Sequence, residues 1–409
     1  MTSDDEPFEP PWETDDQDTF KAIDFSKIET PCYLIHLGAL ERNLKILADV
    51  KKRTGCKIML ALKGFAAWST FPLIRKYLDG VCASSVNEAH LGREKFCGND
   101  KTKEIVTFGP GYSEQEAKEL TKYSDHIIFN SFSQWQRYKH IIQAANKKRK
   151  AKIDVGIRVN PEFVGGAEVD LYNPCAPNSR MGVTKANFDE FMLEGIDGLH
   201  FHVLCEQGAE QLQGALKDFE RRFGKYISRM KWINFGGGHH ITRRGYDVDL
   251  LCKLVNDFKK KYGVQVYLEP GEAVALNTGV LVASVLDTIK NGMDIAILDA
   301  NAQCHMPDVL AMPYRPGIIG AGKPGQYHYT YRLGGNTCLS GDVIGDYSFT
   351  KPLKYGNRIV FLNMAIYTMV QNTTFNGVRL PSIALYDPKT KKIKVERKFG
   401  YGEYRRRLS

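Results

Sequence analysis

What the chain lacks narrows its possible functions first. Its nine cysteines are scattered over 409 residues with no Cys-x-x-Cys pair and no signal peptide ahead of them. A disulfide framework is therefore not indicated, and reduced thiols in a cytoplasm are expected. No apolar run is long enough to cross a bilayer, so no membrane role is expected. Zinc-finger spacing and RNA-recognition signatures are also missing. The formal charge of +9 is spread along the chain, with only short runs such as Lys147-Lys148-Arg149-Lys150. That distribution suits solubility better than a nucleic-acid footprint. What is present is a 43% hydrophobic content, enough for a sizeable core in a chain long enough for two domains. The acidic, proline-containing start, residues 1–25, reads as a disordered tail.

From Lys57 onward a rhythm begins. Apolar strand candidates occur at 58–62, 80–83, 104–107, 126–129, 153–159, 198–202, 232–235 and 264–268. Helical stretches lie between them, among them 113–122, 133–145, 209–227 and 248–262. Parallel strands need crossover helices, and eight such units close a sheet, so residues 26–275 are expected to form a (β/α)₈ TIM barrel. An open doubly wound sheet is the alternative. Beyond Gly271 short β-like runs at 280–286, 294–298, 327–333 and 358–363 alternate with Gly, Pro and Asn. These predict a mostly β second domain over 276–409, and the strand near Pro31 could return to pair with it. Residues 306–325 lack periodicity and read as a long loop, which in a compact protein tends to be functional.

Barrel chemistry collects at the C-terminal ends of the strands. Lys63 ends the first, a costly place for an ammonium unless it reaches water or becomes a free amine. His202 ends the sixth, and Gly236-Gly237-Gly238 follows the seventh and Glu269-Pro270-Gly271-Glu272 the eighth. A plain turn would account for the glycines, a buried hydrogen-bonded ring for His202, and snorkelling for Lys63. Taken together, an amine nucleophile, a glycine cradle for phosphate, a flat ring that can stack and a strand-end carboxylate describe a pyridoxal phosphate site, with Lys63 as its Schiff-base lysine. Metal chemistry is not expected. His200, His239-His240 and Cys304-His305 have no carboxylate or thiol spacing that completes a coordination set.

Ala61-Leu62-Lys63, His202-Val203, the glycine run, Glu269-Pro270-Gly271, Thr337-Cys338 through Asp342, and Met364 through Tyr367 resemble the fold-type III pyridoxal-phosphate decarboxylases, the alanine-racemase-like group. Ala61-Leu62-Lys63-Gly64-Phe65, His202-Val203-Leu204-Cys205-Glu206, Glu269 through Ala273 and His305-Met306-Pro307-Asp308 resemble the polyamine-forming branch of that family. The resemblance implies decarboxylation of carboxynorspermidine or carboxyspermidine, with a simpler diamino acid (ornithine, arginine or diaminopimelate) as the alternative substrate and a catalytically inactive regulator as the alternative role. It implies that Lys63 carries the cofactor, His202 stacks on its ring and Glu269 meets its nitrogen. Gly236, Gly237, Gly238, Gly271 and Tyr367 would hold the phosphate. It further implies a homodimer in which Cys338 reaches the other subunit's site and reprotonates Cα. Where many relatives have an arginine after Glu-Pro-Gly, this chain has Glu272, which suits a cation better than a phosphate. Glu272, Asp308 and Asp342 are thus the expected partners of a cationic, polyamine-type amino acid. Gly64 stands where several relatives have cysteine.

Overall fold

The computed structural model describes residues 17–409. Residues 1–16 of the expected tail lie outside the described residues, but from Gln17 the chain is folded. Phe20 and Ile23, the apolar pair in this polar stretch, are buried in a cluster with Ile28, Leu34, Val280 and Val360. That burial is why residues 17–25 are not part of a disordered tail.

Eight parallel strands close the barrel in chain order: β2 (Lys57–Ala61), β3 (Gly80–Ala83), β4 (Glu104–Phe108), β5 (His126–Phe129), β6 (Asp154–Arg158), β7 (Gly198–His200), β8 (Trp232–Asn234) and β9 (Gln265–Leu268). Their interior is filled by Met59, Ala61, Cys82, Val106, Ile128, Trp232 and Tyr267, as a packed barrel core requires. The indole of Trp232 fits because Gly156 and Gly198 carry no side chain. A Cβ on either would lie 2.5 or 2.2 Å from that ring. The crossover helices begin and end where local chemistry dictates. Ser113 and Glu116 form a reciprocal capping box ahead of Glu114–Tyr123. Asp247 caps Val248–Tyr262, which stops at Gly263 in the left-handed region (φ 68°).

The second unit, formed among the described residues by 17–42 together with Ala275–Ser409, is an eight-stranded sheet. Its strands are β1 (Cys32–His36), β10 (Gly279–Asn291), β11 (Met293–Leu298), β12 (Tyr329–Gly334), β13 (Val343–Phe349), β14 (Arg358–Phe361), β15 (Ser382–Asp387) and β16 (Lys392–Arg397). They run in the order β13-β12-β11-β10-β1-β15-β16, with β14 on β10. The strand after Pro31 therefore belongs to this sheet and not to the barrel: β1 lies antiparallel to β10 and parallel to β15. The long loop at 306–325 contains a helical turn, Asp308–Ala311, and bridges to the sheet at Ile318 and Gly322.

Candidate active site

The C-terminal mouth of the barrel brings together most of the expected groups. Glu269 follows β9 and is 3% exposed. Asn234, the last residue of β8, donates its side-chain N–H to Glu269 Oε1 at 2.6 Å and accepts the Gly236 amide at 2.8 Å. His200, the last residue of β7, is 1% exposed, and its Nε2 lies 3.4 Å from Glu269 Oε2. Burial works to raise the Glu269 pKa, but adjoining His200 and hydrogen bonds from Asn234 and Cys82 bring it below the usual range. Burial holds the His200 pKa down, with Glu269 opposing it in part. The net result is a desolvated carboxylate that stays charged.

Lys63 stands two residues beyond β2 on the same rim and is exposed. The imidazole of His202 is fixed from below. Its Nδ1 accepts the Gly237 amide at 3.1 Å, which leaves the ring proton on Nε2. Burial, then the charges of Lys63 and Arg158, drive its pKa well below the ordinary value. His202 is thus a neutral flat ring with a set orientation. Arg158, the last residue of β6, donates to the His202 carbonyl at 2.8 Å and lies 4.6 Å over the Phe108 ring. Burial lowers its pKa to about 10, which leaves it charged at neutral pH.

The glycine run is first of all a matter of space. A Cβ at Gly236 would come within 2.6 Å of His202 Cβ, one at Gly237 within 2.2 Å of the Glu269 carbonyl, and one at Gly238 within 1.7 Å of the Leu204 carbonyl. Gly64 has a similar reason: a Cβ there would lie 3.0 Å from the Gly271 Cα and the Glu272 amide nitrogen. A cysteine would crowd the turn that carries Glu272.

Beside this turn the Glu272 carboxylate lies 3.0 Å from buried His240 Nε2. Glu206 joins them: the ligand atoms of Glu206, His240 and Glu272 fall within 4.8 Å of one another. Burial, then the charge of Glu272, raises the Glu206 pKa to about 7. Among the described residues His200, His202 and Glu269 converge in the same way. Both sets join residues distant in the chain, so linear spacing could not reveal them.

In the sheet unit Cys338 is exposed, and Tyr367 opens a 3₁₀ turn, half-buried. The side-chain amide of Gln371 faces the Asp308 carboxylate at 3.0 Å. Asp342 departs from expectation. It is 5% exposed; its Oδ1 accepts the amides of Ala302 and Gln303 (2.9 and 3.1 Å), and its Oδ2 accepts the Thr337 hydroxyl and amide (2.5 and 3.3 Å). With its lone pairs engaged, it holds two loops together instead of offering a charge to substrate. Cys304 and His305 are likewise structural, His305 Nε2 bonding the Arg379 carbonyl at 3.1 Å. Sequence reasoning missed Asn234 and left His200 without a role at the site, because it looked just after each strand while these are last residues. The available signal was parity, since His200 and His202 lie two apart along one run.

Residues 26–365 match the family profile described as pyridoxal-dependent decarboxylase, C-terminal sheet domain. The chain is 44% identical, over 93% of its length and 98% of the relative's, to a carboxynorspermidine/carboxyspermidine decarboxylase of Campylobacter jejuni. It is 38% identical, over 94% of its length and 96% of the relative's, to a carboxyaminopropylagmatine decarboxylase of Synechocystis. Its structure resembles that of carboxynorspermidine decarboxylase from Campylobacter jejuni complexed with norspermidine, with a TM-score of 0.84 and 43% identity over 93% of this chain and all of that one.

Proposed function

The chain belongs to the pyridoxal-dependent decarboxylases, and from that premise we propose how its residues divide the work. It is a carboxy-lyase of polyamine biosynthesis that converts carboxynorspermidine and carboxyspermidine to norspermidine and spermidine with release of carbon dioxide. The observation that carries the reading is Glu269: a buried carboxylate kept charged at the end of the last barrel strand, on the rim that bears Lys63 and His202.

The residues fit pyridoxal phosphate on two counts. Among the described residues both ring nitrogens of His200 are buried beside Glu269 without a hydrogen-bond partner, so the pocket is polar where a ring nitrogen would be received. The run Gly236-Gly237-Gly238 keeps side chains away from where an anion would approach backbone. When bound, the cofactor supplies an electron sink for the pair left on Cα as carbon dioxide departs. The protein's own groups do the rest. The Lys63 amine would anchor the aldehyde, and the neutral face of His202 would support the ring. Glu269, held by Asn234, would accept a hydrogen bond from the ring nitrogen and so keep a proton there. Gly236, Gly237, Gly238, Gly271 and Tyr367 would hold the phosphate. Glu272 and Asp308 counter the ammonium groups of the polyamine arm, and Glu206, the neighbour of Glu272, adds to that field. In a homodimer, Cys338 of the partner subunit returns a proton to Cα. Nine unpaired cysteines agree with a cytoplasmic setting, and among the described residues no helix is long and apolar enough to cross a membrane.

The test is turnover of carboxynorspermidine and carboxyspermidine beside ornithine, arginine, diaminopimelate and carboxyaminopropylagmatine. A higher kcat/KM for either carboxylated triamine is expected; a preference for any of the other four overturns the substrate reading.

A further inference from the structure

Cys338 lies on a loop held in place by a side chain of its own, Asp342, and by one from a distant segment, Asn376. Asp342 grips Thr337 through its hydroxyl and amide. The next amide, that of Cys338 itself, donates to Asn376 Oδ1 at 2.7 Å. Asn376 has φ 56° and ψ 12°, in the left-handed region that asparagine tolerates better than most residues. Its segment is in turn tied down, since Thr373 donates to the Cys304 carbonyl at 2.9 Å and the Cys304 thiol donates to the Phe375 carbonyl at 3.6 Å. An exposed loop residue has little reason to be fixed on both sides unless the direction of its side chain matters. We propose that Asn376 is a positioning residue, whose side chain sets the aim of the Cys338 thiol for proton delivery to Cα. The proposal rests on the reading of Cys338 as the proton donor.

Geometry of this kind is costly to lose, because an error of about 1 Å in a reacting group can cost about 100-fold in rate. The position permits a clean test. Asn376→Gly keeps the left-handed backbone without strain and deletes only the acceptor. Asn376→Asp keeps both the acceptor and the tolerance of positive φ. Relative to the unmodified holoenzyme, Asn376→Gly is expected to lower kcat roughly 10-fold or more with KM within about twofold, and to enlarge the solvent deuterium isotope effect on kcat as proton delivery becomes limiting. Amide hydrogen exchange at Cys338 should quicken in the same variant, a readout independent of turnover. Asn376→Asp should restore most of kcat and the slow exchange.

Cys338→Ala is the control. If it lowers kcat by about 100-fold while Asn376→Gly leaves kcat and the isotope effect unchanged, Asn376 does not position the thiol and the inference alone is overturned. If Cys338→Ala leaves kcat unchanged, the reading of Cys338 as donor falls and takes the inference with it.

Discussion

Gly238→Ala separates steric space from backbone conformation at the candidate phosphate cradle. Gly238 has φ 84°, and a Cβ there would lie 1.7 Å from the Leu204 carbonyl oxygen and 2.4 Å from its carbon. Gly245 has nearly the same φ, 80°, with nothing within 4 Å of its would-be Cβ. Gly245→Ala therefore costs only the left-handed backbone penalty, about 1–2 kcal/mol. Gly238→Ala adds the displacement of backbone in a packed core, a further ~1–3 kcal/mol. At roughly 2–4 °C per kcal/mol for a unit of this size, Tm should fall by about 2–8 °C for Gly245→Ala and by about 4–20 °C for Gly238→Ala. Leu204 lies two residues from His202, so the same shift should weaken pyridoxal phosphate binding for Gly238→Ala alone, by about tenfold or more. Thermal unfolding of the apoprotein and cofactor titration measure the two effects. Equal Tm losses with unchanged cofactor affinity would refute the argument that this run is glycine because backbone must pass close behind the ring site.

Three further outcomes are expected. At the opposite end of the barrel Glu104 faces Lys57, His126 Nε2 (3.4 Å) and the Tyr267 hydroxyl (2.9 Å). Burial opposes its ionisation, but hydrogen bonds from His126 and Lys57 and their charges pull its pKa from 4.5 to about 2. The folded value is below the unfolded one, so this stabilisation is present above pH 4.5 and is lost between about 4.5 and 2. It amounts to about 1–2 kcal/mol after screening, and urea midpoints against pH should flatten over that window in Glu104→Gln. Glu206, raised to about 7 by burial and by Glu272, carries its charge only above that pH. Log kcat/KM for the cationic substrate should climb through neutrality, and Glu206→Gln should remove the inflection while retaining residual activity. Glu269→Gln keeps an oxygen for Asn234 but removes the charge. It should cut kcat by about 100-fold or more while the chain still binds cofactor, and a near-normal kcat would sink the role assigned to that carboxylate.

The barrel was legible because buried parallel strands read as short apolar runs and each crossover helix carries its own caps. All eight strands sit where those runs occur. The sheet was less so. β13 interrupts its pattern with Gly345 and Asp346, and Asp346 forms a fork with Arg332 across the ladder at 2.8 and 2.9 Å. Polarity of that kind resembles a loop when the pairing strand is not in view. β16 is largely exposed and so has no buried face to declare it. That Lys63, His202, the glycines and Glu269 stand at the C-terminal ends of barrel strands was readable from their order in the chain. Asn234, Glu206 and the true occupation of Asp342 depend chiefly on neighbours 34 or more positions away, a relation that linear spacing does not encode.

The position of β1 between β10 and β15 has a consequence for synthesis. During translation the first strand emerges long before either neighbour exists: Leu34 pairs with Val280 on one side and Ala384 on the other. The barrel's residues are all made in the interval, so that unit can close while β1 waits with both edges bare. A nascent chain stalled before Asp387 would present an open apolar ribbon, the kind of edge on which chains stick to one another. Yield of intact protein should therefore be sensitive to loss of the C-terminal strands out of proportion to the few residues removed.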